Sequence, residues 1–103
     1  MTQGRRQHLE YLEERAAQQN VSLSCGRIQH VGQNRPGGLD TTGGFHVEYI
    51  VSATGSGYVS YWPSWAFELA KAALLYNKEI CVISNGDPLG DNILGVYVQE
   101  NSP

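Results

Sequence analysis

Residues 58–84 read YVSYWPSWAFELAKAALLYNKEICVIS, and their reading decides the fold. Pro63 and Ser64 open a helix, with Ser64 able to cap free backbone N–H groups and Pro63 at the first helical position as the alternative. From Trp65 to Tyr76 almost every residue is a good helix former, Ala66, Glu68, Leu69, Ala70, Lys71, Ala72, Ala73, Leu74 and Leu75 among them. Ser64, Glu68, Lys71 and Lys78 make a narrow polar stripe, interrupted by Leu75, and the rest of the circumference is apolar. So wide an apolar arc predicts a helix packed against a sheet, or one that also touches a second body. Asn77 suits a left-handed C-terminal position. Ile80-Cys81-Val82-Ile83 then reads as a short strand covered on both faces, stopped by Asn85-Gly86-Asp87-Pro88.

Upstream of this unit, Gly4 to Gln19 reads as a helix with a thin stripe of Leu9, Leu12 and Ala16, ended by Asn20. A stripe so thin stabilises little alone, so the helix must dock on its own domain or on a partner chain. Val21 to Val31 reads as a strand. Val21, Leu23 and Cys25 keep one phase, Ile28 and His30 take the other, and Gly26 marks a bulge between them. Gly32 to Gly44 reads as a loop. Phe45 to Ala53 alternates as a half-buried strand, Thr54 to Gly57 is a hairpin connection, and Tyr58 to Tyr61 is the next strand. After the loop Asn85–Asn92 comes a last strand, Ile93 to Gln99, with Leu94, Val96 and Val98 on one face. The tail from Glu100 is expected to fray.

The predicted class is α+β, mainly β, with an N-terminal helix over 1–20 and one β domain over 21–99. Three strands, a helix, then two strands is the order of a five-stranded Greek-key barrel of the OB type. An open sheet with the helix on one face is the alternative.

The chain has 103 residues, 41% of them hydrophobic and 17% charged, which suffices for one core in one domain. Net charge is −3, and Arg5, Arg6 and Arg15 account for much of the positive charge. With no basic stripe in the body, nucleic-acid binding is not expected. No run of apolar residues is long enough to span a membrane. The N-terminus lacks an apolar leader-like stretch, which fits a cytosolic protein and equally a secreted one whose leader was replaced by a start Met. Cys25 and Cys81 both sit in predicted strands. They pair if the strands are neighbours; the aliphatic setting of Cys81 favours free thiols.

The motifs of residues 61–98 add a resemblance. An aromatic before Pro63-Ser64, the helix Phe67-Glu68-Leu69-Ala70, the turn Asn77-Lys78, the strand Ile80–Ile83 and the closing Ile93-Leu94-Gly95-Val96-Tyr97-Val98 resemble the B subunits of pentameric bacterial toxins, of the subtilase-cytotoxin and pertussis-like typhoid-toxin type. The likeness covers about forty residues of fold pattern. It implies an OB barrel, a ring of five copies with helices at its centre, and glycan binding on an outer face. No sugar-binding residue carries over position by position, and the N-terminal helix is long for those subunits.

The candidate binding surface is the aromatic edge Tyr58, Ser60, Tyr61, Trp62 and Trp65, because rings stack on apolar sugar faces while their polar tips meet water. The plainer reading of these rings is core and strand-pair packing. His30, His46 and Glu48 resemble a two-His, one-carboxylate metal set if the hairpin is centred near Gly38; solvent-facing histidines are the plainer reading, and no metal or cofactor is expected. Asn85, Asp87, Asp91 and Asn92 offer oxygen ligands for calcium in a stretch equally suited to turns. Neither cysteine and no serine has a nucleophile's setting. The reading is a non-enzymatic, self-associating module for a glycan or similar polar ligand. The alternative is an intracellular interaction or regulatory protein that uses its N-terminal helix.

Overall fold

A computed structural model describes residues 3–37 and 44–100, with side chains from His8 onward. Its elements are α1 (Gln3–Gln19), β1 (Ser22–Asn34), β2 (Gly44–Val51), β3 (Gly57–Trp62), α2 (Ser64–Leu75), β4 (Glu79–Ser84), a short 3₁₀ turn (Gly90–Asn92) and β5 (Ile93–Gln99). The class is α+β. The five strands form one antiparallel sheet in the order β3-β2-β1-β4-β5. Among the described residues no ladder joins β3 to β5, so the sheet is open rather than closed into a barrel. It does curl: the 3₁₀ turn that leads into β5 reaches β3, where the Gly90 amide donates to Ser60 Oγ at 3.4 Å.

The long strand β1 is a relay. Its first half, Ser22 to Gly26, pairs with β4, and its second half, Gly26 to Asn34, pairs with β2. Only Gly26 belongs to both ladders. A Cβ placed there would sit 1.9 Å from the Ile50 carbonyl oxygen, so no other residue fits. Gly26, expected as a bulge, pairs in register on both sides; the register slips instead between Ile28 and His30, leaving Gln29 extra. Ile28 therefore enters the core and His30 faces away, where one shared phase had been expected. The strand also runs on to Asn34, because Gly32, Gln33 and Asn34 find partners in His46, Phe45 and Gly44. The centre of the glycine loop, residues 38–43, and the last three residues of the expected frayed tail lie outside the described residues.

The helix α2 lies across both halves of the sheet, against β1, β2, β4 and β5. Ala66, Phe67, Ala70 and Ala73 are its buried residues, and they join Ile28, Val47, Tyr49, Trp62, Ile80, Val82, Ile93 and Val96 in one core. Small alanines let the helix axis approach the sheet, and Phe67 fills the side next to Phe45 at 4.8 Å between rings. Pro63, with φ −58 and ψ 149, is the N-cap and makes no side-chain cap bond, so Ser64 starts the helix instead of capping it. Both helices end on an asparagine in the left-handed region, Asn20 (φ 57) and Asn77 (φ 53). In each case the following amide reaches back five residues, Val21 to Ala16 and Lys78 to Ala73, which satisfies a carbonyl the helix leaves open.

On the reverse face α1 docks on its own domain. Leu12 and Ala16 are buried, and they border a cleft with Val21, Ile83, Gly95 and Tyr97. Beside this contact Cys25 and Cys81 form a disulfide. The expectation of free thiols is thus overturned by register: antiparallel pairing of β1 with β4 sets the two cysteines directly opposite, on one face. Closing a loop of 56 residues is worth about 4 kcal/mol by the chain-entropy relation. Leu94 also departs from the expected alternation. A second irregularity beside Ser84 makes it the extra residue, so Ile93 enters the core and Leu94 stays half exposed.

The two halves also meet through Tyr49, whose hydroxyl lies 3.0 Å from Ser24 Oγ with the ring fully buried. Burial pushes the Tyr49 hydroxyl up from 10.0 to about 12, against the smaller downward pull of the Ser24 hydrogen bond. The folded value lies above the unfolded one, so the neutral phenol stabilises the fold below pH 10, and that stabilisation is lost as pH rises towards 12. Urea unfolding at a series of alkaline pH values is expected to show this loss in the native protein and a shallower one in Tyr49→Phe.

Candidate functional site

The alternation of β3 divides the aromatic edge between two faces. Trp62, Ser60 and Tyr58 point to the α2 side. Trp62 is buried with its ring edge-on to Tyr49 at 6.1 Å, and its indole N–H finds no acceptor among the described residues. Tyr58 is half-buried against the core, and Ser60 accepts from Gly90. Tyr61 points to the reverse face and is 38% exposed. Trp65, the second residue of α2, is 52% exposed on the helix's outer side. The five residues therefore do not make one surface.

What the fold does bring together is a row of rings on the reverse face. There α1 lies beside Ile83, Gly95 and Tyr97 of the β4–β5 half and beside Leu23 and Cys25 at the start of β1, while on β3 Val59 is 55% exposed. The register sets Gly32, His46 and Tyr61 in one cross-strand line and His30, Glu48 and Val59 in the next. The His30 and His46 rings are 5.8 Å apart and nearly perpendicular; His46 and Tyr61 follow at 5.6 Å. Gly44 leaves the room in which the Tyr61 ring lies, since a Cβ there would stand 2.9 Å from Tyr61 Cδ1. The result is a cross-strand row of two imidazoles and a phenol, each ring set edge-on to the next, with Glu48 opposite His30. Such groups can stack on an apolar ring face and exchange hydrogen bonds with hydroxyls around it.

His30 and His46 are near neighbours, as the hairpin reading required, but they lie on a diagonal: His30 is opposite Glu48 and His46 is opposite Gly32. Among the described residues no group of three or more His, Cys, Asp or Glu side chains could hold a metal ion. The backbone of the loop Asn85–Asn92 is held largely by bonds within it. Leu89 N–H reaches Asp87 O at 2.8 Å, Asn92 Nδ2 donates to Asp87 O at 3.3 Å, and Asn85 N–H reaches Asn92 O at 2.8 Å. Turn formation accounts for its composition. Both cysteines are consumed in the disulfide.

The second exposed surface is the outer side of α2. Trp65, Leu69, Leu75 and Tyr76 are 52%, 38%, 73% and 73% exposed. The surplus apolar arc expected of this helix is present. Its polar edge holds a Glu68–Lys71 ion pair at 3.1 Å. Among the described residues no helix is long and apolar enough to cross a membrane.

The ring row escapes sequence reading because it depends on pairing between three strands. One signal was available: a hairpin turning around residues 53 and 54 sets His46 opposite Tyr61.

No family model matches the chain, and no curated protein or solved structure matches it either.

The burial difference between two neighbouring rings is directly testable. Trp62→Ala is expected to cost about 3–5 kcal/mol of stability, as for other buried aromatic truncations. Tyr61→Ala, which removes a ring that is 38% exposed, is expected to cost clearly less than Trp62→Ala, about 1 kcal/mol. Urea unfolding of the two variants measures both.

Proposed function

We propose that the chain is a non-enzymatic, self-associating binding module of the OB kind that holds a glycan. The strand order, with the helix between the third and fourth strands, is that of an OB barrel parted between β3 and β5, which supports the OB part of the reading. The observation that carries the ligand is the row His30–His46–Tyr61 beside Glu48, on the sheet face where Val59 and Tyr61 are exposed. A pyranose has C–H faces that pack on rings and a rim of hydroxyls that need planar donors and acceptors; this row offers both. A net charge of −3 and the carboxylate in the row disfavour a phosphate backbone as ligand.

The resemblance to toxin B subunits points to the same ligand class, and to a ring of five copies as one form of self-association. The disulfide favours an oxidising, extracytoplasmic setting. It weighs against the intracellular alternative, as does the docking of α1 on its own sheet through Leu12 and Ala16.

A glycan array probed with the oxidised protein tests the reading. Hits are expected, with Tyr61→Ala and His46→Ala each weakening them about 2- to 12-fold, the range set by stacking contacts of about 0.5–1.5 kcal/mol. An array without hits, or hits unchanged in both variants, would overturn the glycan assignment.

A further inference from the structure

On the reverse face, α1 and the β4–β5 ladder leave a cleft of about 170 Å³ between them. Two rows of α1 line it. Leu12 and Ala16 are the buried row, and with Ile83 they make an apolar floor. Tyr11, Arg15 and Gln19, each four residues after the last, are the exposed row and stand at the rim. Tyr97 closes the β5 side. Its ring lies over Gly95, where a Cβ would stand 3.2 Å from Tyr97 Cε2, and meets the His8 ring edge-on at 5.7 Å. That wall is therefore set before any ligand arrives, which lowers the cost of binding.

We propose that this cleft binds a small organic carboxylate whose body is one flat apolar ring. Charge and shape both favour it. Among the described lining residues Arg15 is the one charged side chain, and it makes no hydrogen bond or ion pair with any described residue. A guanidinium holds a carboxylate by two parallel N–H···O bonds, and the Gln19 amide, one turn on, supplies a further donor. A single cation suits a monoanion; a phosphate dianion would ask for a second one, which the described lining residues lack. The chain as a whole carries −3, so the long-range field gathers no anions and the selection has to be made inside the cleft. As to size, an apolar cavity of about 150 Å³ admits benzene, so this cleft takes one ring on its floor and leaves the carboxylate at the rim. The Tyr11 and Tyr97 rings favour a flat body over a branched or hydroxylated one.

The cleft lies away from the His30–His46–Tyr61 row, so an array without glycan hits leaves the proposal standing. Titrating the oxidised, isotope-labelled full chain with benzoate, and with benzamide as its neutral counterpart, tests it through backbone amide shifts. Saturable shifts are expected at Arg15, Gln19, Gly95 and Tyr97, half-saturating near about 1 mM benzoate, the strength of a single-ring fragment. Benzamide is expected to bind about 10-fold more weakly, the difference made by charged hydrogen bonds. Arg15→Gln, a change at an exposed position, is expected to fold as the wild type does and to erase that preference, with benzoate falling to the benzamide level. Tyr97→Ala is expected to weaken both probes. Shifts that never saturate, saturable shifts confined to residues elsewhere, or a benzoate preference that survives in Arg15→Gln would overturn the proposal. Binding untouched by a folded Tyr97→Ala would overturn the ring assignment.

Discussion

Everything in this fold passes through one residue without a side chain. The sheet is two smaller ladders, β4–β5 with the start of β1 and β2–β3 with its end, and they share Gly26 alone. At that point the Ile50 carbonyl comes within 1.9 Å of where a Cβ would stand. The close approach lets β1 serve both ladders while the sheet curls around α2. The neighbouring residues secure the joint: Cys25 is bonded to Cys81, Ser24 meets the Tyr49 hydroxyl, and Ser52 N–H donates to the Cys25 carbonyl.

From this joint follows the unequal treatment of the two faces. The concave side takes α2, whose alanines allow it to lie across both ladders and seal one core. The reverse side takes α1, which among the described residues buries Leu12 and Ala16 fully and Leu9 in part. On β3, Val59 and Tyr61 stay exposed. The ring row and the exposed stripe of α2 thus arise from shortages of covering surface in two different places. They lie on opposite sides of the molecule, so a ligand on one leaves the other free.

The elements were legible where the pattern is local. The span of α2, its left-handed Asn77 cap, the thin face of α1 and the alternation of β2 all depend on residues within one or two turns of each other. What escaped depends on register between distant strands. The extra residue at Gln29 turns His30 away from Ile28, and the one at Leu94 turns Ile93 inward. Neither bulge bears a glycine to announce it, whereas Gly26, read as a bulge, marks a close crossing instead. The same dependence hid the cysteine pairing. The division of the aromatic edge is local instead: β3 runs on to Trp62, so Tyr61 and Trp62 must point to opposite faces. The candidate site was therefore half visible, with Tyr61 named for its chemistry and His46 seen but not connected to it.

The most direct test of the shared joint is the stability of Gly26→Ala set beside Gly32→Ala, both in β1 and both measured by thermal and urea unfolding of the oxidised protein. At Gly32 a Cβ would meet only His30 Nε2 at 3.6 Å, an ordinary contact. The account predicts that Gly32→Ala stays within about 1 kcal/mol of wild type, while Gly26→Ala loses at least about 3 kcal/mol or fails to fold. A Gly26→Ala protein that unfolds at the wild-type temperature would contradict it.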